Sequence, residues 1–144
     1  MYIINESRHD EIMIMLREKE SDYPTFVDAI LDGSIPGVVY VDDPKVPSVF
    51  FVGTEGGIFF IGGDERHSSF LKSVVDLYEW FVQQERRFTL FSANERWNTV
   101  IKGVLGEQLE EMWRFSFLSG TSVSHNHTLQ KPFTIQQIDQ HVIA

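Results

Sequence analysis

Between Ile58 and Ser92 the chain passes from a short apolar strand, Ile58 to Ile61, through Gly62-Gly63-Asp64 into a long amphipathic stretch and out into a second strand, Phe88 to Ser92. The stretch carries Phe70, Leu71, Val74, Val75, Tyr78, Phe81 and Val82 at helical spacing, an apolar stripe so broad that it has to lie across a sheet. A strand, a long helix and a strand in succession imply a right-handed crossover between parallel neighbours. Asp64 is placed to cap this helix, which the pattern carries to about Gln84, and Arg86 and Arg87 follow where a helix C-terminus favours cations.

The strands before the crossover are of another kind. Val38 to Val41, Ser48 to Val52 and Ile58 to Ile61 are separated only by Asp42 to Pro47 and Gly53 to Gly57, connections short enough for antiparallel hairpins. Two helices precede them. The first is expected over Glu6 to Glu20, opened by Ser7 and striped by Ile12, Met13 and Leu16; the second starts at Tyr23-Pro24 and stops at Gly33. After Ser92, Asn94 caps a helix bearing Trp97, Val100, Ile101, Val104 and Leu105, with Gly106 as its stop. Trp113, Phe115 and Phe117 alternate with Arg114 and Ser116 as a half-buried strand does, and Phe133 to Ile138 reads as a last extended segment. The fold class is α+β, an α/β three-layer arrangement with a mixed, mostly antiparallel sheet.

A chain of 144 residues can bury about two-thirds of its unfolded surface, enough for one domain with a real core. Its 42% hydrophobic content, with 12 Phe, excludes a disordered chain. No cysteine is present, which removes disulfides, thiol nucleophiles and cysteinyl metal sites and fits a reducing compartment. The net charge of −9 is uneven: six acids face three bases over residues 1–22, nine face three over 23–80, and six face six over 81–144. Such a field repels a phosphate backbone and draws a cationic partner, so nucleic acid is not an expected partner. With no window apolar enough to span a bilayer and no basic leader, a soluble cytoplasmic protein is expected, with no membrane partner.

The order of elements is similar to that of the GNAT family of acetyl-CoA-dependent N-acetyltransferases over nearly the whole chain. More narrowly, Ile35-Pro36-Gly37-Val38-Val39-Tyr40-Val41-Asp42-Asp43, Gly62-Gly63-Asp64, Trp97 and Arg114-Phe115 resemble the amino-terminal half of two-domain GNAT-like acetyltransferases of bacilli. Pro132 to Asp139 resembles the junction where their second half begins. The resemblance thus implies a GNAT-like domain over residues 1–131 and, over 132–144, the start of a second lobe. The partners it implies are an amine acceptor or that second lobe, with a second copy of the chain in a homodimer as a further arrangement.

The family holds the pyrophosphate of acetyl-CoA on backbone amides of a Gln/Arg-x-x-Gly-x-Gly/Ala loop before its long helix. The matching positions are Gly62, Gly63, Asp64, Glu65, Arg66, His67 and Ser68, which depart from that pattern. Free amides and the positive end of the dipole bind anions at a helix start, so acids at Asp64 and Glu65 oppose the cofactor there. Asp64 reads as an ordinary cap or as part of a remodelled cofactor loop, and acetyl-CoA is expected to bind this chain alone weakly or not at all. The family's Asn-x-x-Ala-x-x-x-Tyr is met by Asn94, with Trp97 at the Ala position and Ile101 at the Tyr position, so its proton donor is missing. Trp97 reads as core and Asn94 as a cap that also matches a cofactor-binding position.

A base for the acceptor amine is best sought in Asp42 and Asp43 at the end of the first meander strand, although Asp before Pro44 is also ordinary turn chemistry. Glu55 reads as a hairpin tip. His125-Asn126-His127 is the one metal-like pattern and lacks a third protein ligand, so no metal site is assigned. Two functions remain: a GNAT-related acetyltransferase domain with a degenerate acetyl-CoA site, or a non-catalytic interaction module of the same fold.

Overall fold

A computed structural model of the chain describes residues 1–20 and 22–112. By its contacts the chain divides into Met1–Glu110 and Glu111–Ala144, and the architecture below is that of the first unit. The expected strand over Trp113 to Phe117, the extended segment over Phe133 to Ile138 and the His125/His127 pair lie outside the described residues.

The five strands β1 (Tyr2–Ile3), β2 (Val38–Val41), β3 (Val49–Gly53), β4 (Ile58–Gly63) and β5 (Thr89–Ser92) form one sheet in chain order. Pairs β1·β2, β2·β3 and β3·β4 are antiparallel and β4·β5 is parallel, as the crossover requires. The helices are α1 (His9–Lys19), α2 (Thr25–Leu31), α3 (Ser68–Gln83) and α4 (Glu95–Leu105). The mixed, mostly antiparallel α+β reading is therefore what this part of the chain adopts. β1 was not read from the sequence: two residues are too few for an alternation to register, and they are held by pairing to Tyr40 and Val41.

Side chains alternate across the sheet and supply two cores. On one face Val39, Val41, Phe50, Val52 and Phe60 pack with Ile12 and Leu16 of α1 and Val27, Ile30 and Leu31 of α2. On the other, Val49, Phe51, Phe59 and Ile61 pack with Phe70, Leu71, Val74 and Phe81 of α3 and Trp97, Ile101 and Leu105 of α4. All five residues of β3 are buried, because helices cover both of its faces. The layers are helix, sheet and helix.

Two helix starts differ from the expectation. α1 begins at His9 rather than Glu6, behind a 3-10 turn (Glu6–Arg8) whose cap is Asn5, not Ser7. α3 begins at Ser68, four residues after Asp64, and its cap residue His67 makes no side-chain bond to the helix. Asp64 is therefore not its cap: the carboxylate takes the Arg66 amide at 3.0 Å and the Arg66 guanidinium at 2.8 and 2.6 Å. Asn94 caps α4 as expected, its Oδ1 accepting from the amides of Arg96 and Trp97.

Candidate functional site

The parallel pairing of β4 with β5 ends at Ile61 and Ser92, and the Ala93 amide makes the last bond, to the Ile61 carbonyl at 3.0 Å. β4 runs on for two residues beside β3, pairing Gly62 with Phe50 and Gly63 with Val49, while the chain beyond β5 turns into α4. A notch therefore opens at the carboxyl end of β4, where the sheet changes from antiparallel to parallel. Crevices of this kind are where sheets with parallel strands present backbone to ligands. The Asp64 amide bonds back to the Ser48 carbonyl at 2.9 Å, so in the alternating ladder the Gly63 N–H and C=O point away from β3, into the notch.

Both glycines are needed by the backbone. A Cβ at Gly62 would lie 2.5 Å from the Phe50 ring; at Gly63, where φ is +93°, it would lie 2.2 Å from the Ser48 carbonyl oxygen.

The notch is filled by side chains. Trp97, wholly buried, donates its indole N–H to the Gly63 carbonyl at 3.1 Å. Glu20, at the end of α1 and 9% exposed, accepts from the Gly63 amide and from the Asn94 side chain. Burial pushes the Glu20 carboxyl above the usual range, Glu65 adds to this, and the two hydrogen bonds with Lys19 offset only part of it. Sequence reading passed over Glu20 as the charged continuation of α1. The signal was present in the spacing, for Ile12, Leu16 and Glu20 are four residues apart and share the buried face.

Beside the notch, Asp42 is nearly enclosed, its side chain 8% exposed. Its Oδ1 accepts the amides of Ser48 and Val49 at 2.8 and 2.9 Å, and Oδ2 takes the Ser48 hydroxyl at 2.6 Å. Burial pushes this carboxyl up, but the Ser48 hydroxyl and the amides of Val49, Ser48 and Asp43 outweigh it and hold it below the usual range. His67 Nε2 lies 3.0 Å from Ser48 Oγ and 3.4 Å from Asp42 Oδ2. The fold thus brings Asp42 and His67 together through Ser48, which sequence reading did not single out. Asp43 stands apart, its Oδ1 accepting the amides of Lys45 and Val46 in the β2–β3 connection.

In the loop before α3, the Arg66 guanidinium holds the Asp64 carboxyl far below the usual range. Glu65 lies 3.5 Å from Arg96. The Ser68 amide is spent on the Arg66 carbonyl, and those of Phe70 and Leu71 reach the His67 carbonyl. A diphosphate at this helix start would meet the carboxylates of Asp64 and Glu65, with Arg66 already forked onto the first. These residues do not fit the pyrophosphate of acetyl-CoA. Ile101, at the position of the family's tyrosine, is buried in the core and has no proton to give. Among the described residues no three His, Asp or Glu side chains are grouped as metal ligands, and no helix is long and apolar enough to cross a membrane.

A mixed sheet with this crossover and this notch is the frame of an acyltransferase, and residues 15–144 match the family model for GNAT acetyltransferases. The chain belongs to that family. It is 38% identical over 143 residues to a protein of Bacillus subtilis (strain 168) named Uncharacterized N-acetyltransferase YdfB, an alignment covering 98% of this chain and 54% of that one. The chain thus spans about half the length of the curated relative that it matches.

Proposed function

We propose that this chain serves as the amino-terminal lobe of a two-lobed N-acetyltransferase that moves an acetyl group from acetyl-CoA to an amine, and that its own cofactor cleft is closed. On this reading residues 1–131 form the lobe and 132–144 lead into the second. The observation that carries the closed cleft is at Gly63: its amide is engaged by Glu20 and its carbonyl by Trp97, leaving no backbone for an extended ligand. The acids at Asp64 and Glu65 and the aliphatic side chain at Ile101 support the same reading. The relative's name and its length, nearly twice that of this chain, support acetyl transfer by the longer protein. A cytoplasmic site of action fits the lack of cysteine.

The acidic candidates then hold the fold rather than move a proton. A base for an ammonium needs an accessible carboxylate tuned toward the working pH, whereas Asp42 is enclosed, fully bonded and held below its ordinary range. Asp43 is spent on the turn.

Calorimetric titration of acetyl-CoA into the chain should give no saturable heat; tight 1:1 binding would overturn the closed cleft. In the two-lobed form, Asp42→Asn and Asp43→Asn should leave amine acetylation unchanged. A large fall in turnover with stability retained would make one of them the base.

A further inference from the structure

At the opposite end of β4 from Gly63, roughly 17 Å along the strand, lies a cavity of about 530 Å³. It sits between β2, the tip of the β3–β4 hairpin and the last turns of α3. That volume is in the range of small-molecule sites, and the lining has their character: mostly apolar, with a few polar groups at fixed positions. The floor is Phe59 and Phe81, 2% and 5% exposed, and one wall is Trp80, 45% exposed. The other wall carries Tyr40.

Arg86 closes the rim. Its position is set by the end of α3, where Glu85 adopts a left-handed conformation with φ +53° and the Arg86 amide bonds back to the Phe81 carbonyl at 2.9 Å. The side chain is thereby turned onto the helix it has just left. Its guanidinium lies 4.6 Å from the Phe81 ring centre and 5.6 Å from that of Trp80, and it donates to the Glu55 carbonyl. One acceptor leaves most of its five donors unused. Arg8, Arg17, Arg66 and Arg96 each have a carboxylate within 4.0 Å; among the described residues Arg86 and its neighbour Arg87 have none, and of these two Arg86 lines the cavity. A flat cation with no carboxylate within 4.0 Å among the described residues, held over two rings at the mouth of an aromatic slot, calls for a flat anion.

We propose that this cavity binds a small aromatic carboxylate, its ring against Trp80 and Phe59 and its carboxylate on Arg86 and the Tyr40 hydroxyl. The site is separate from the notch at Gly63 and does not depend on the closed cleft. The exposed carboxylate of Glu55 at the same rim opposes the ligand's charge and sets an upper bound on affinity.

The test uses the full chain and three probes of one shape: naphthoate, naphthamide and naphthylmethylamine. Calorimetry should show 1:1 binding of naphthoate, about tenfold tighter than naphthamide because charge-assisted hydrogen bonds to Arg86 distinguish them. Amide resonances of Tyr40, Thr54, Leu77 and Trp80 should move. Arg86→Gln should bring naphthoate down to the level of naphthamide without changing naphthamide itself, Glu55→Gln should strengthen naphthoate, and Trp80→Ala should weaken both. These three side chains are exposed, so the variants are expected to fold. Equal affinity for the three probes, a preference for the amine, shifts confined to other residues, or no saturable binding in the millimolar range would each overturn the proposal.

Discussion

Glu20 and Asp42 are two shielded carboxylates whose surroundings push them in opposite directions, and stability should record both signs. Asp42 is held below its ordinary value, so folding gains from its ionised form above about pH 4 and loses that gain as pH falls through the folded value. Glu20 is pushed above its ordinary value, so its ionisation costs the folded state; the cost is absent below about pH 4 and grows as pH rises through the folded value. Glu20→Gln keeps an acceptor for the Gly63 amide and removes the charge. It should be more stable than the parent at pH 7, with the difference vanishing at about pH 4, in denaturant titrations at the two pH values. A variant less stable at pH 7 would mean that the ionised form is favoured by the site. Glu85 holds a left-handed backbone that glycine adopts freely, so Glu85→Gly should stabilise the chain by about 1 kcal/mol, read as a higher unfolding midpoint in urea.

At the scale of elements, what the sequence revealed and what it concealed have separate causes. β2 to β5 and α4 came within one or two residues of their observed bounds, because alternation, turn residues and an Asn cap are local signals. The start of α3 did not, because an Asp ahead of an apolar stripe looks like a cap, and only the folded loop shows its carboxylate forked by Arg66 two residues on. The site was legible in part. Gly62, Gly63 and Asn94 were marked by the resemblance to the family's cofactor-binding positions, whereas Glu20 and Ser48 reach the site through pairings that join distant parts of the chain. Asn94 works at both levels, capping α4 and donating to Glu20. Asn94→Ala should cost about 1 kcal/mol for the cap alone. Asn94→Ser, which restores the cap and not the bond to Glu20, should recover most of that if the cap dominates. Thermal unfolding of the two variants separates the contributions.

For the whole molecule, the acidic balance of residues 1–80 and the filling of the notch point the same way. On the proposed reading, the groups at Gly63 that a cofactor would use are spent on the chain's own packing, with Trp97 on the carbonyl and Glu20 on the amide.

The parallel pair β4·β5 also has a consequence for the order of events in folding. β2, β3 and β4 meet through short connections, whereas β5 can join only after the chain has closed a loop that contains all of α3. Closure of the longer loop carries the larger entropic cost, so the meander is expected in the transition state and the docking of β5 after it. Val52→Ala, in β3, should then slow refolding, while Leu90→Ala, in β5, should chiefly hasten unfolding, which stopped-flow measurements on the two variants would distinguish. The strand that bounds the notch would be the last to arrive and the first to leave.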